Sequence, residues 1–236
     1  MMPEVIEFIL LLLGAYFFGS VPAAYLVAKW SRGIDVRQYG SGSVGAANIV
    51  TTVSKRWAIP VVLFDLGKGA AMVWAAQLIG LGIAQQVTVG LAAIVGHNWS
   101  VFLRFSGGRG ALTLLGVALI LAPTPALILV IVAFLFAPFK QLALGAVLAI
   151  ASLPIFSWFL PQPFDIEEPL PLTLGFLAMF LIIVFRRLTA PRTSVTASVS
   201  RGQLFVNRLL FDRDIRDREA WIHRQPLGQK EKQGKG

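Results

Sequence analysis

Apolar runs of membrane-spanning length, separated by short polar loops, set the pattern of this chain. The first runs from Val5 to Trp30 and is interrupted at Gly19-Ser20-Val21-Pro22. At about 1.5 Å per helical residue it is long enough to cross a hydrocarbon core of about 30 Å. Further runs over Trp57 to Gly82, Gln86 to Phe105, Gln141 to Leu160 and Leu170 to Phe185 each predict another spanning helix. The stretch between Gly110 and Pro138 is long for one crossing, and Pro123-Thr124-Pro125 divides it. Each arm holds about 13 residues, or roughly 20 Å of helix. The pattern predicts an all-α polytopic membrane protein of about seven transmembrane helices, two of them short and meeting near Pro123.

Charge orients these spans. Lys29, Arg32, Arg37, Lys55 and Arg56 flank the first loop against a single Asp35, Arg104 and Arg109 flank a later one, Lys140 follows Pro138, and the segment after Arg186 is heavily basic. Basic loops stay in the cytoplasm, so all of these are expected inside. Glu4, Glu7, the uncharged turn from Gly80 to Gln86 and the acidic Asp165-Ile166-Glu167-Glu168 then fall outside, giving N-terminus out and C-terminus in. With Arg109 and Lys140 both inside, the arms between them cross twice or form a re-entrant hairpin in a six-span alternative. Met-Met-Pro-Glu lacks the positive region of a cleaved signal, so the first span is expected to be retained. The expected division is a transmembrane part, 1–188, and a basic cytoplasmic tail, 189–236. In that tail Asp212 to Arg224 alternates acid and base and predicts a solvated helix with Trp221 at the interface, and Gln229 to Gly236 predicts disorder.

Composition agrees with lipid as the solvent: 56% of residues are apolar and 14% charged, with a mean hydropathy of +0.72. The net charge of +9 lies mostly in loops and tail, where anionic lipid headgroups account for it better than nucleic acid does. With no cysteine and two histidines, disulfides and thiolate chemistry are excluded and no metal or cofactor is expected.

Two glycine-rich basic loops carry the candidate chemistry. In the first, Arg37 to Asn48, the glycines Gly40, Gly42 and Gly45 alternate with Ser41 and Ser43. Glycine lets successive N–H groups converge on a phosphate, and Arg37 supplies a matching charge. A flexible linker is the plainer reading, but its place between two spans beside an arginine and an asparagine favours a site. It is no nucleotide-hydrolysing loop, lacking the terminal Gly-Lys-Ser/Thr. The second, Gly107-Gly108-Arg109-Gly110, opens a helix whose N-terminus favours anions. Asp65 and Lys68 share a face of the second span within the bilayer, where an ion pair locking two helices and a functional group facing a cavity are both open. His97 lies about two turns from the cytoplasmic end of the third span. As a general base it needs a partner that the sequence does not identify.

In order, Gly19-Ser20-Val21-Pro22, Arg37 to Asn48, Asp65-Leu66-Gly67-Lys68-Gly69, Gly96-His97 and Phe102 to Gly110 resemble the bacterial acyl-phosphate:glycerol-3-phosphate acyltransferases of the PlsY type. The match covers about half the chain, and several motifs in order are far more specific than one. The resemblance implies a multi-pass enzyme of phospholipid biosynthesis in a bacterial plasma membrane, its active site facing the cytoplasm. It implies acyl transfer from acyl phosphate to glycerol-3-phosphate, giving lysophosphatidic acid and phosphate, without a metal. Carried over, Arg37, Ser41, Asn48 and His97 are catalytic. Gly40, Gly42, Ser43, Gly45 and Lys68 bind phosphate with Gly107, Gly108, Arg109 and Gly110. The chain departs from the pattern at Ser43 and Ala47, at Ser106 and Arg109 where lysines are usual, and at Phe185-Arg186-Arg187, which offers no histidine. Asn207-Arg208-Leu209-Leu210 keeps part of that last motif, displaced, and His223 comes too late to replace it. A homologue with altered or lost activity and a transporter for an anionic or phosphorylated solute remain as alternatives. The one-sided placement of the glycine and arginine clusters favours the enzyme over the transporter.

Overall fold

The computed structural model describes residues 2–191, 196 and 199–222, and among them the regular elements are all helical. They are α1 (Met2–Ser20), α2 (Ala23–Arg32), α3 (Ala46–Thr52), α4 (Lys55–Leu78), α5 (Ile83–Asn98), α6 (Ala111–Leu121), α7 (Pro123–Leu135), α8 (Leu142–Phe159), α9 (Pro169–Leu188), α10 (Arg201–Phe211) and α11 (Arg218–Ile222). The run through α1 and α2, together with α4, α8 and α9, is long and apolar enough to cross a membrane. Helices α6 and α7 are shorter and apolar, and they meet at Ala122 and Pro123, where the sequence placed the break.

Helix α5 is the axis of the bundle, with α1, α4, α6 and α9 against it, while α6 runs along α4 and α8 lies between α7 and α9. Small residues allow these approaches: a Cβ on Gly19 would collide with the Ala93 backbone and one on Gly96 with the Tyr16 carbonyl, so α1 and α5 touch main chain to main chain. Gly69 against Thr113 and Gly116 against Leu66 do the same for α4 and α6. Leu114, Val117, Ile150, Leu153, Phe176, Met179 and Ile183 fill the core. Leu10, Leu63, Trp74, Ile131, Leu174 and Phe185 point outward and exposed, as a lipid-facing surface requires.

Pro22 lacks an N–H and breaks the first run, so α2 is a separate helix, and it ends on Gly33 in the left-handed region, φ 68°, whose N–H donates to the Lys29 carbonyl. The third span is shorter than predicted. It ends at Asn98, and Val101–Leu103 forms a single 3-10 turn with Arg104 and Phe105 at positive φ. His97 is therefore in the last turn of α5, not two turns inside it. The first loop also holds more helix than expected, because Ala46, Ala47 and Asn48 open α3. Among the described residues of Asp212 to Arg224, the expected solvated helix is not continuous. The chain turns at Asp212, φ 52°, helix resumes only at Arg218, and Trp221 is buried. Two charges of that stretch, Asp212 and Asp214, are turned inward as ion-pair partners of Arg109 and Arg208, while the side chains of Arg218 and Glu219 stay exposed. His223 and the Gln229 to Gly236 tail lie outside the described residues.

Candidate functional site

Asn48 organises the first loop. Its Nδ2 donates to the carbonyls of Val36, Tyr39 and Ser43 at 3.1, 3.1 and 3.0 Å, and its Oδ1 accepts from the Ser41 N–H at 2.9 Å. Two hydrogens thus serve three carbonyls, and the buried amide has no hydrogen left for a substrate. Gly40 and Gly42 take φ of 53° and 72°, and Gly40 packs so closely on the Asn48 amide that a side chain there would overlap it. The Ser43 N–H donates to Ser41 Oγ at 3.3 Å. Arg37 is forked onto Asp35, with Nε at 2.9 Å from Oδ1 and Nη2 at 2.6 Å from Oδ2. This hydrogen bonding holds the Asp35 carboxyl below its ordinary range and raises the Arg37 guanidinium. Arg37 Nη1 reaches the Leu103 carbonyl at 3.4 Å, tying this loop to the segment leading into the second. One hydrogen on each terminal nitrogen remains for an anion.

Beneath the loops lies a buried cluster. Asp65 Oδ1 is 2.9 Å from Lys68 Nζ and 3.5 Å from His97 Nδ1, and all three side chains are nearly closed from solvent. Lys68 also donates to the Val21 carbonyl at 3.5 Å, an acceptor exposed by the Pro22 break. Lys68 is thus held in a buried ion pair beneath the first span. Asp65 is the partner His97 lacked in the sequence, and His97 Nε2 has no hydrogen bond among the described residues.

The second loop folds over that histidine. The Gly108 N–H donates to the His97 carbonyl at 3.1 Å, and a Cβ on Gly108 would meet His97 Nε2 and the Val44 carbonyl of the first loop. Both loops and the imidazole therefore meet at Gly108. Gly110 caps α6 with φ 78°, and no side chain among the described residues bonds the first N–H groups of α6. Asn98, fully buried against Gly110, has partners for neither amide atom among the described residues. Arg186 donates to the Asn98 carbonyl at 3.0 Å and to the Gly107 carbonyl at 3.3 Å. Arg109 Nε lies 2.7 Å from Asp212 Oδ1, and its Nη1 donates to the Arg186 carbonyl at 3.0 Å.

Most of the predicted residues thus come together: Arg37, Gly40, Ser41, Gly42, Ser43 and Gly45 on one loop, Gly107 to Gly110 on the other, His97 between. Asp65, Asn98, Arg186 and Asp212 are additional groups at this place. Only Asp65 had a signal, its spacing from Lys68 on one helical face. Arg186 stands where a histidine was missed, and Asp212 lies over a hundred positions from its partner, so no local spacing relates them.

A family model described as glycerol-3-phosphate acyltransferase matches residues 9–193. The chain is 46% identical over 224 residues to glycerol-3-phosphate acyltransferase 4 of Dehalococcoides mccartyi strain CBDB1, covering 95% of this chain and 97% of that protein. It is 48% identical over 217 residues to glycerol-3-phosphate acyltransferase 5 of the strain ATCC BAA-2266, covering 92% and 93%. Crystal structures of PlsY (YgiH), an integral membrane glycerol 3-phosphate acyltransferase, are similar as well. The glycerol 3-phosphate form aligns with a TM-score of 0.69 at 29% identity over 77% of this chain and 88% of that one. The lysophosphatidic acid form aligns with a TM-score of 0.70 at 26% identity over 92% and 100%.

Proposed function

The chain belongs to the glycerol-3-phosphate acyltransferase family, and from that premise we propose that it transfers a fatty acyl group from acyl phosphate to the primary hydroxyl of glycerol-3-phosphate. The products are lysophosphatidic acid and inorganic phosphate. The reaction takes place at the cytoplasmic face of a bacterial plasma membrane, in a bundle of about seven spans with its N-terminus outside and its C-terminus inside. Residues 1–188 form the transmembrane part, and 189–236 the cytoplasmic tail.

The observation that carries this reading is the meeting of both loops and His97 at Gly108. A reaction between two phosphorylated molecules needs two anion cradles side by side, and these are the two. The first loop, with Arg37, Ser41 and the N–H groups around Gly40, Gly42, Ser43 and Gly45, holds the acyl phosphate. The second, with Gly107, Gly108, Arg109 and Gly110 at the start of α6, holds the phosphate of glycerol-3-phosphate. The hydroxyl oxygen attacks the acyl carbon, the bond from that carbon to the phosphate oxygen breaks, and the proton passes to a phosphate oxygen. Because phosphate leaves readily, positioning and charge stabilisation suffice. Asn48 acts by shaping the first loop. His97, steered at Nδ1 by Asp65, offers Nε2 to bound phosphate from the floor. Lys68 acts through Asp65.

The test incubates purified protein in lipid with acyl phosphate and glycerol-3-phosphate and follows lysophosphatidic acid and phosphate release. Wild-type turnover is expected, with a loss of about 100-fold or more in an Arg37→Ala, Ser41→Ala double variant. A folded wild type that forms no product would overturn the assignment and favour the divergent homologue.

A further inference from the structure

We propose that Asp212, in the C-terminal segment, is a positioning residue for Arg109 of the second loop. This rests on the reading of that loop as the cradle for the acceptor's phosphate. An arginine beside three glycines has many rotamers, and a phosphate that must choose one of them loses affinity to that ordering. Here the choice is already made. Asp212 Oδ1 takes the Nε–H at 2.7 Å and the Arg186 carbonyl takes one Nη1 hydrogen at 3.0 Å. The other Nη1 hydrogen and both on Nη2 have no partner among the described residues and remain to be donated to a phosphate.

Asp212 is itself seated by a chain of buried contacts. It ends α10 in the left-handed region at φ 52°, its N–H donating to the Arg208 carbonyl at 3.2 Å. Arg208 pairs with Asp214 at 2.7 Å and donates to the carbonyls of Leu188 and Ala190 at 2.9 and 2.8 Å, at and just past the end of α9. Arg187 reaches from α9 to the Leu209 carbonyl at 3.0 Å and to that of Ala143 at 3.2 Å. These bonds leave α10 one seat on α8 and α9, and from that seat Asp212 meets Arg109. The segment that departs most from the family pattern thus becomes part of the acceptor site.

The experiment compares wild type, Asp212→Ala, Arg109→Lys and the double variant in the acyl-transfer assay, with thermal midpoints for each. In parallel, calorimetry measures the binding of glycerol-3-phosphate alone. Asp212→Ala is expected to raise the acceptor KM about tenfold with kcat, donor KM and midpoint little changed, a loss of ground-state binding. Lysine has no Nε edge, so in the Arg109→Lys background the same change is expected to add less than about twofold. An unchanged acceptor KM, an effect carried by kcat and the midpoint, or full additivity in the double variant overturns the proposal. If wild type does not turn over, the functional reading fails first, and glycerol-3-phosphate binding then decides: about tenfold weaker in Asp212→Ala sustains the inference, equal binding ends it.

Discussion

At the scale of single residues, one carboxamide holds the first loop in shape. Asn48 ties the carbonyls of Val36, Tyr39 and Ser43 to the N–H of Ser41, and Asn48→Ala would leave these groups unpaired. At about 1–3 kcal/mol for each buried group left without a partner, the loop should lose its order. Turnover is expected to fall about 100-fold, with faster hydrogen exchange over residues 36–43; lost turnover with unchanged exchange would count against a shaping role. Asp35 adds a pH dependence. Hydrogen bonding from Arg37 lowers its carboxyl below 3.8, so the pair stabilises the loop above that value and ceases to do so as pH falls through the lowered one. Exchange over residues 36–43 is expected to be flat in its protection from neutral to mildly acidic pH and to lose protection only below about pH 4, and Asp35→Asn should abolish that step. The glycines and Arg37 were legible because their chemistry is local. Asp35 was not, since in the sequence it is only a minority charge in a basic loop.

At the scale of helices, buried charge and small residues decide how the spans meet. Lys68 is 1% exposed and held by Asp65 and the Val21 carbonyl. Lys68→Met strands the Asp65 carboxylate in the bundle, and a loss of about 3–5 kcal/mol is expected in detergent unfolding. Asp65→Asn combined with Lys68→Met should recover most of it, and failure to do so would mean that the lysine supplies more than charge balance. The glycine contacts between α1 and α5 make a separate prediction. Gly96→Val drives a branched side chain into the Tyr16 carbonyl, so a lowered thermal midpoint is expected, reflecting about 1–3 kcal/mol or more. The end of α5 was misplaced because Trp99 to Phe105 is apolar enough to continue a span. Bonds from distant elements turn the chain instead, among them Ser100 Oγ to the Ser20 carbonyl at 2.6 Å and Gly108 N–H to the His97 carbonyl at 3.1 Å.

At the scale of the whole molecule, orientation is open to direct measurement because the chain has no cysteine. Gln38→Cys and Glu167→Cys both lie at exposed positions. With the N-terminus outside, an impermeant thiol reagent added to intact cells is expected to label the second and spare the first, whereas inverted vesicles should reverse the result. Labelling of both from one side would overturn the proposed span count. Asp212, at the end of α10, contacts Arg109 of the second loop, so removing residues from Ser200 onward should weaken the proposed acceptor site as Asp212→Ala does, together with stability.

The sequence by itself determined the class of molecule, the proline breaks at Pro22 and Pro123, and the two glycine-rich loops with their arginines. Each of these follows from local chemistry: hydropathy over a span, a missing N–H, a missing Cβ, a guanidinium kept out of the apolar runs. The tertiary structure decided what lies between the loops and what holds their arginines. Asp65 reaches His97 from another helix, Arg186 reaches Gly107 from the far end of α9, and Asp212 reaches Arg109 across 103 positions of sequence. Those pairings depend on how the helices cross and where the last segment seats, and neither is encoded in the spacing of neighbouring residues.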